Sequence, residues 1–74
     1  MNTTQLPIII EQDEDGVFVA ECVLFDGCYS QGDTYDEAMR NIREVISMCL
    51  EEKENKEILT NYHPISLSFS SIAV

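Results

Sequence analysis

The sequence predicts an α+β fold with the element order β-β-β-α-β, in which one helix packs on a sheet. Three observations predict this fold. Short β-branched runs flank an Asp-Gly turn, a capping box opens a stretch with helical apolar spacing, and apolar residues alternate with serine near the C-terminal end. Because 74 residues leave room for one domain, residues 1–74 are predicted to form a single domain.

The first three strands are predicted to form an antiparallel meander. Residues 6–11 are rich in isoleucine and carry a proline near the start, where a missing N–H is tolerated. Residues 17–23 form the second β-branched run, and the Asp-Gly pair between the two runs is typical of a hairpin turn. Residues 24–28 contain a second Asp-Gly pair, so the chain is expected to turn there into a short third strand over 29–31.

A helix is predicted to begin after Thr34. Thr34 is its N-cap, and Glu37 three residues later completes a capping box. Apolar residues then recur at helical spacing and form one stripe, which predicts a helix that runs to about Lys53. The residues of this stripe are Ala38, Ile42, Val45, Ile46, Cys49 and Leu50.

The C-terminal part predicts a connection and a fourth strand. Residues 55–63 are mostly polar and are expected to link the helix to the strand. Residues 65–70 alternate strictly between an apolar side chain and serine, as in a strand with one exposed face. Because this strand would follow a helical crossover, it could lie parallel beside the first strand.

The charge distribution favours a basic partner. The chain carries 14 acidic and four basic residues, a formal net charge of −10, and residues 1–39 contain nine acids with no lysine or arginine. Such a surface would repel a phosphate backbone and an anionic membrane, and would attract a basic protein. The alternative, that the acids only keep a small protein soluble, stays open on charge alone.

The sequence predicts no catalytic residue, no metal ligand and no cofactor. Asp13 and Asp15 lie together in a turn, whereas a metal cluster needs carboxylates from different elements. His63 is the single histidine, and no nucleophile motif accompanies it. The three cysteines, Cys22, Cys28 and Cys49, include no C-x-x-C pair, so they are expected to be free thiols in a reducing compartment.

The second run is apolar on both sides, which favours an interaction surface. By alternation, three valines share one side, and a phenylalanine, an alanine and a cysteine share the other. One helix covers only one face of a sheet, so the second face is expected either to contact a partner or oligomer, or to lie under the linker or the C-terminal tail. The valines are Val17, Val19 and Val23, and the opposite side has Phe18, Ala20 and Cys22.

The central stretch resembles the HicB-like antitoxin family. Family members share an acidic turn ending in Asp-Gly, a strand similar to Y-V-A-E-C, and the run G-C-x-S-Q-G-D-T-x-E-E-A before a helix. This chain has Phe18-Val19-Ala20-Glu21-Cys22, then Gly27-Cys28-Tyr29-Ser30-Gln31-Gly32-Asp33-Thr34, with Glu37 and Ala38 in place. It departs from the pattern over residues 23–26, where the family usually has a proline-containing loop, and at Asp36, where glutamate is commoner.

The resemblance implies a partly degenerate RNase H-like fold without the catalytic carboxylates of that fold. It also implies a cytoplasmic, non-enzymatic antitoxin of a type II toxin-antitoxin system, which binds a small, basic, HicA-like, mRNA-cleaving toxin and commonly forms dimers or tetramers. We expect no direct binding of nucleic acid, because no residues remain for a C-terminal DNA-binding domain. The alternatives are an orphan structural or regulatory module without a toxin, and an enzyme.

Charge and turn position select the residues expected to contact a partner. All six are acidic and lie in predicted turns or at the end of the second strand. They are Asp13, Glu14, Asp15, Glu21, Asp26 and Asp33. The absence of a leader-like N-terminal segment and of a long apolar run also predicts a cytoplasmic protein without a membrane contact.

Overall fold

The computed structural model describes residues 4–64 and 66–74, in which three strands are followed by two helices. The strands form one antiparallel sheet in the order β1-β2-β3, which confirms the predicted α+β class and the meander. No helix among these described residues is both long enough and apolar enough to span a bilayer. The elements are β1 (Ile8–Gln12), β2 (Phe18–Cys22), β3 (Tyr29–Gly32), α1 (Tyr35–Cys49) and α2 (Lys53–Thr60).

The two faces of the sheet differ because side chains alternate along each strand. On the inner face, Ile8 pairs with Cys22, and Ile10 pairs with Ala20. α1 packs against this face through β2 and β3. The buried core therefore lies between the helix and the inner face, and it consists of Ala20, Cys22, Phe25, Cys28, Ala38 and Ile42.

α1 begins as predicted. Thr34 has an extended backbone, and its hydroxyl accepts a hydrogen bond from the Glu37 amide at 3.1 Å. The ring of Tyr35, the first helical residue, meets the ring of Phe18 edge to face with centroids 6.5 Å apart. These contacts fix the start of the helix against the end of the sheet where β2 begins.

α1 ends at Cys49, four residues before the predicted end at Lys53. The amides of Glu51 and Glu52 bond back by three residues, to the carbonyls of Met48 and Cys49, so the chain tightens into a turn there. The Asn55 side chain donates to the Cys49 carbonyl at 2.7 Å, which satisfies one of the acceptors that every helix leaves open at its C-terminal end.

The polar connection predicted over residues 55–63 is wrong in part, because most of it belongs to α2. This helix was not expected since it has no apolar stripe: Leu59 is half-buried against the core, whereas Ile58 is exposed. Tyr62, beyond the end of α2, is also half-buried. Leu59 thus packs against the core, and α2 follows directly from the turn after α1.

The fourth strand is not found in the described part of the chain. Residues 66–74 form no strand, and Ile65, where the predicted strand starts, lies outside the described residues. Residues 66–70 do alternate, but a strand also needs a neighbour for its backbone hydrogen bonds, and these residues have none within 4–64 and 66–74. The RNase H-like arrangement, which the resemblance implies, is therefore not confirmed.

Candidate protein-binding surface

Strand register brings two acidic segments to the same end of the sheet. Gln12 pairs with Phe18, and Phe18 pairs with Gly32, so the ends of β1 and β3 lie side by side across β2. Neighbouring strands lie ~4.8 Å apart, which places the backbones of Asp13 and Asp33 about 10 Å from each other. We call this region the acidic end, and it comprises Glu11, Asp13, Glu14, Asp15, Asp33, Asp36 and Glu37.

Asp13 organises the turn between β1 and β2. Its carboxylate oxygen Oδ1 accepts hydrogen bonds from the amides of Asp15 and Val17, both at 2.9 Å. Its amide donates to the Val17 carbonyl at 2.9 Å, and Gly16 takes the left-handed conformation that the turn requires, with φ of 85°. The predicted hairpin turn is therefore confirmed, and the carboxylates of Glu14 and Asp15 stand exposed at its tip.

The start of α1 supplies the other half of the acidic end. Asp33 precedes the N-cap and is exposed, and Asp36 and Glu37 lie in the first helical turn. Carboxylates at this position interact favourably with the partial positive charge at the N-terminal end of a helix. The N-terminal end of the helix therefore offsets part of the repulsion among these carboxylates. Residues 1–39 contain no lysine or arginine that could do so.

The outer face of the sheet is open and mixes apolar and acidic groups. Ile9 pairs with Glu21, and Glu11 pairs with Val19, so isoleucine and valine lie between two carboxylates. Glu11 and Glu21 are exposed, and Tyr29 on the same face is 64% exposed. Val19 thus lies on the opposite face from the buried Ala20 and Cys22, as predicted, whereas Val17 and Val23 lie outside β2.

Five of the six predicted contact residues lie on this continuous surface. Asp13, Glu14, Asp15 and Asp33 belong to the acidic end, and Glu21 lines the same shallow depression on the outer face as Asp13. The depression is lined by Ile9, Glu11, Gln12, Asp13, Val19 and Glu21.

Asp26 lies apart from the other five. It follows β2, at the opposite end of the sheet, beside Gly27 with φ of 70°. Sequence reasoning omitted Glu11, Asp36 and Glu37 from the predicted contact residues. Their positions, at the end of the first strand and in the first turn of the helix, could have indicated them from the sequence.

The three cysteines converge inside the fold. Cys22 and Cys28 are buried, Cys49 is half-buried, and the Cys28 thiol interacts with the other two thiols. Burial is the main cause that raises the pKa of Cys28 to about 12, followed by the interaction with the Cys49 thiol. Burial likewise raises the pKa of Cys22. All three are free thiols, as predicted.

Neither the cysteines nor the carboxylates form a recognisable metal site. Over residues 4–64 and 66–74, no three histidine, cysteine or acidic side chains are arranged to hold a metal ion. His63 is exposed in the segment after α2.

A family model and several relatives match this chain. The family model described as HicB-like antitoxin of bacterial toxin-antitoxin systems matches residues 6–70. A UPF0150 protein of Synechocystis sp. is 54% identical over 54 residues, which cover 73% of this chain and 78% of the relative. A UPF0150 protein of Archaeoglobus fulgidus is 42% identical over 50 residues, which cover 68% of this chain and 72% of the relative. A UPF0150 protein of Helicobacter pylori is 46% identical over 50 residues, which cover 68% of each chain. No solved structure gives a significant match.

Proposed function

Because the chain belongs to the HicB-like antitoxin family, we propose that it binds and neutralises a small, basic, mRNA-cleaving toxin of the HicA-like type. Membership implies a toxin partner of some kind. The basic character of that partner is inferred from this chain, since a surface of seven carboxylates at one end of the sheet is complementary to clustered lysine and arginine.

The acidic end is the single observation that carries the mechanism. An RNA-cleaving protein must attract the phosphates of its substrate, and it does so with positive charge. Carboxylates presented from two neighbouring segments can occupy the same positive surface and exclude RNA from it. Inhibition then needs binding alone, so we propose that this chain is not an enzyme and does not bind nucleic acid directly.

The outer face would add apolar contacts to the electrostatic attraction at the acidic end. Charged groups at the edge of an interface mainly set the rate of encounter and its salt dependence, whereas buried apolar contacts set much of the affinity. Ile9 and Val19 are half-buried and border the acidic end, and the exposed ring of Tyr29 lies on the same face. A partner that covers both regions would gain steering from the carboxylates and burial from these side chains.

The test compares two charge reversals of equal size. The variant Glu14→Lys/Asp15→Lys changes the tip of the acidic end, and Glu51→Lys/Glu52→Lys makes the same change in the exposed turn after α1. With the small basic protein encoded beside this gene, the first variant should raise the Kd by about tenfold or more, and the control by much less. Wild-type affinity should also fall as salt rises.

Two results would contradict the proposal. One is equal loss of binding in both variants, which would mean that only net charge matters. The other is cleavage of RNA by the purified chain in magnesium or manganese, with loss of activity in Asp15→Asn. The alternative, an orphan module, is favoured by the apolar groups on the outer face, which would suit self-association as well. It predicts that no small basic reading frame lies beside the gene.

A further inference from the structure

The outer face of the sheet places one carboxylate directly beside an exposed aromatic ring. Glu21 of β2 pairs with Tyr29 of β3 on one side and with Ile9 of β1 on the other. Side chains paired across strands have Cβ atoms roughly 4.5–5.5 Å apart, so the Glu21 carboxylate and the Tyr29 ring can contact the same group. Tyr29 is 64% exposed, and Glu21 is exposed as well, so both are open to another molecule.

In the part of the chain that the structure describes, no basic residue lies on the outer face with Glu21. All four lysines and arginines lie within residues 40–56, in α1 and in the segment that follows it. α1 packs on the inner face of the sheet, whereas Glu21 projects from the outer face. A cation for this carboxylate is therefore expected from another molecule.

A carboxylate beside an exposed tyrosine suits a guanidinium group better than an ammonium group. Guanidinium is planar, so its edge can donate two parallel hydrogen bonds to a carboxylate while its face stacks on an aromatic ring. An ammonium group is compact and strongly hydrated, and it meets a carboxylate as a point charge. The pair of Glu21 and Tyr29 therefore distinguishes between two cations of equal charge.

The side chains around this pair suit the aliphatic part of an arginine. Val19 is the next outward residue along β2 from Glu21, and it lies diagonally across from Tyr29. Val19 and Ile9 are half-buried, and they are the apolar lining of the depression that Glu21 borders. Methylene groups that lie on these two side chains lose contact with water, which adds to the affinity while the charged group stays at the rim.

We propose that the outer face binds an arginine side chain of the basic partner, with the guanidinium group bonded to Glu21 and stacked on Tyr29. The existence of a basic partner rests on the proposed function, and the residue type that the partner presents to this face is new. The acidic end attracts lysine and arginine alike, because its field acts at a distance. Glu21 and Tyr29 then select arginine at short range.

Two peptides of equal length and charge, hexaarginine and hexalysine, test this selection without the toxin. Isothermal titration calorimetry of the full chain at low salt should give a Kd for hexaarginine about tenfold lower than that for hexalysine. Tyr29→Leu should reduce the ratio to about twofold, and Tyr29→Phe, which keeps the ring, should retain it. Glu21→Gln should weaken binding of hexaarginine more than Glu44→Gln, which removes an exposed carboxylate from α1.

Nuclear magnetic resonance locates the bound peptide. Hexaarginine should shift the amide resonances of Glu21 and Tyr29, and should shift that of Glu44 much less. The substituted side chains are exposed, so the variants should fold, which circular dichroism checks. Equal Kd values for the two peptides, an arginine preference that persists in Tyr29→Leu, or shifts confined to the acidic end would each overturn the proposal.

The arginine site and the antitoxin function can fail separately. Weaker toxin binding in Glu14→Lys/Asp15→Lys, together with equal affinity for the two peptides, would support the antitoxin function and overturn the arginine site. An arginine preference that depends on Tyr29, in a chain to which the small basic protein encoded beside the gene does not bind, would support the site and overturn the antitoxin function.

Discussion

Gly32 lies directly against the backbone of Ala38: a Cβ added at Gly32 would stand 2.6 Å from the Ala38 amide nitrogen. It would also stand 2.9 Å from the Cβ of Glu37. The backbone of β3 therefore meets the first turn of α1 without an intervening side chain. Space, and not an unusual backbone angle, is what requires glycine at this position.

Gly32→Ala should destabilise the protein by about 1–3 kcal/mol, because the helix or the strand must move to make room for the methyl group. Urea denaturation measures the change in the free energy of unfolding. The comparison is Gly27→Ala, where an added Cβ meets nothing within 4 Å and only the left-handed backbone, with φ of 70°, opposes alanine. A Gly32→Ala variant as stable as the wild type would show that the contact relaxes freely.

Thr34→Ala should lower the free energy of unfolding by about 1 kcal/mol, since the Glu37 amide loses its acceptor at the helix start. Thr34→Ser retains the hydroxyl and should recover most of the loss. Thermal denaturation followed by far-ultraviolet circular dichroism would check both variants. Equal destabilisation by alanine and serine would mean that the methyl group, and not the hydrogen bond, is important.

The stability should decrease at alkaline pH because of Cys28. Burial raises the pKa of this thiol from 9.0 to about 12, so the folded chain holds the proton more tightly than the unfolded chain. The contribution is complete below about pH 9 and is lost as pH rises towards 12. Tyrosine and lysine titrate in the same range, so the measurement is the difference between wild type and Cys28→Ala in urea denaturation across that window. A constant difference would contradict the prediction.

Tyr62→Phe should leave the stability unchanged or raise it by about 1 kcal/mol. The Tyr62 hydroxyl is buried and finds no hydrogen-bond partner among the described residues, so its removal relieves an unsatisfied polar group. Tyr62→Ala is the control: it removes the half-buried ring as well, and should lower the free energy of unfolding. A clear loss of stability in Tyr62→Phe would indicate that the hydroxyl has a bonded partner in solution.

Features that depend on neighbouring residues in the chain were predictable from the sequence. The Thr34 cap and the Asp13 turn each complete their hydrogen bonds within four residues, so the residue types alone indicate them. The meander followed for the same reason, because each turn joins strands that are adjacent in sequence.

Features that depend on distant contacts were not predictable. The end of α1 rests on a side-chain bond from Asn55 that stabilises a turn, and α2 rests on a few contacts without periodicity. The grouping of Glu11 with Asp33 requires the register of three strands. The alternating tail predicted a fourth strand, which the described residues do not form, because an alternating pattern does not by itself supply the neighbouring strand edge.

The role of Asp13 has a consequence for recognition. Because its carboxylate fixes the β1–β2 turn through two amides, the loop around Glu14 and Asp15 loses its freedom during folding and not on encounter with a partner. The hairpin tip thus presents two negative charges on an ordered loop. The conformational entropy of ordering that loop is lost during folding and not on binding. The first aspartate of the turn shapes the loop, and the next two residues present their carboxylates to solvent.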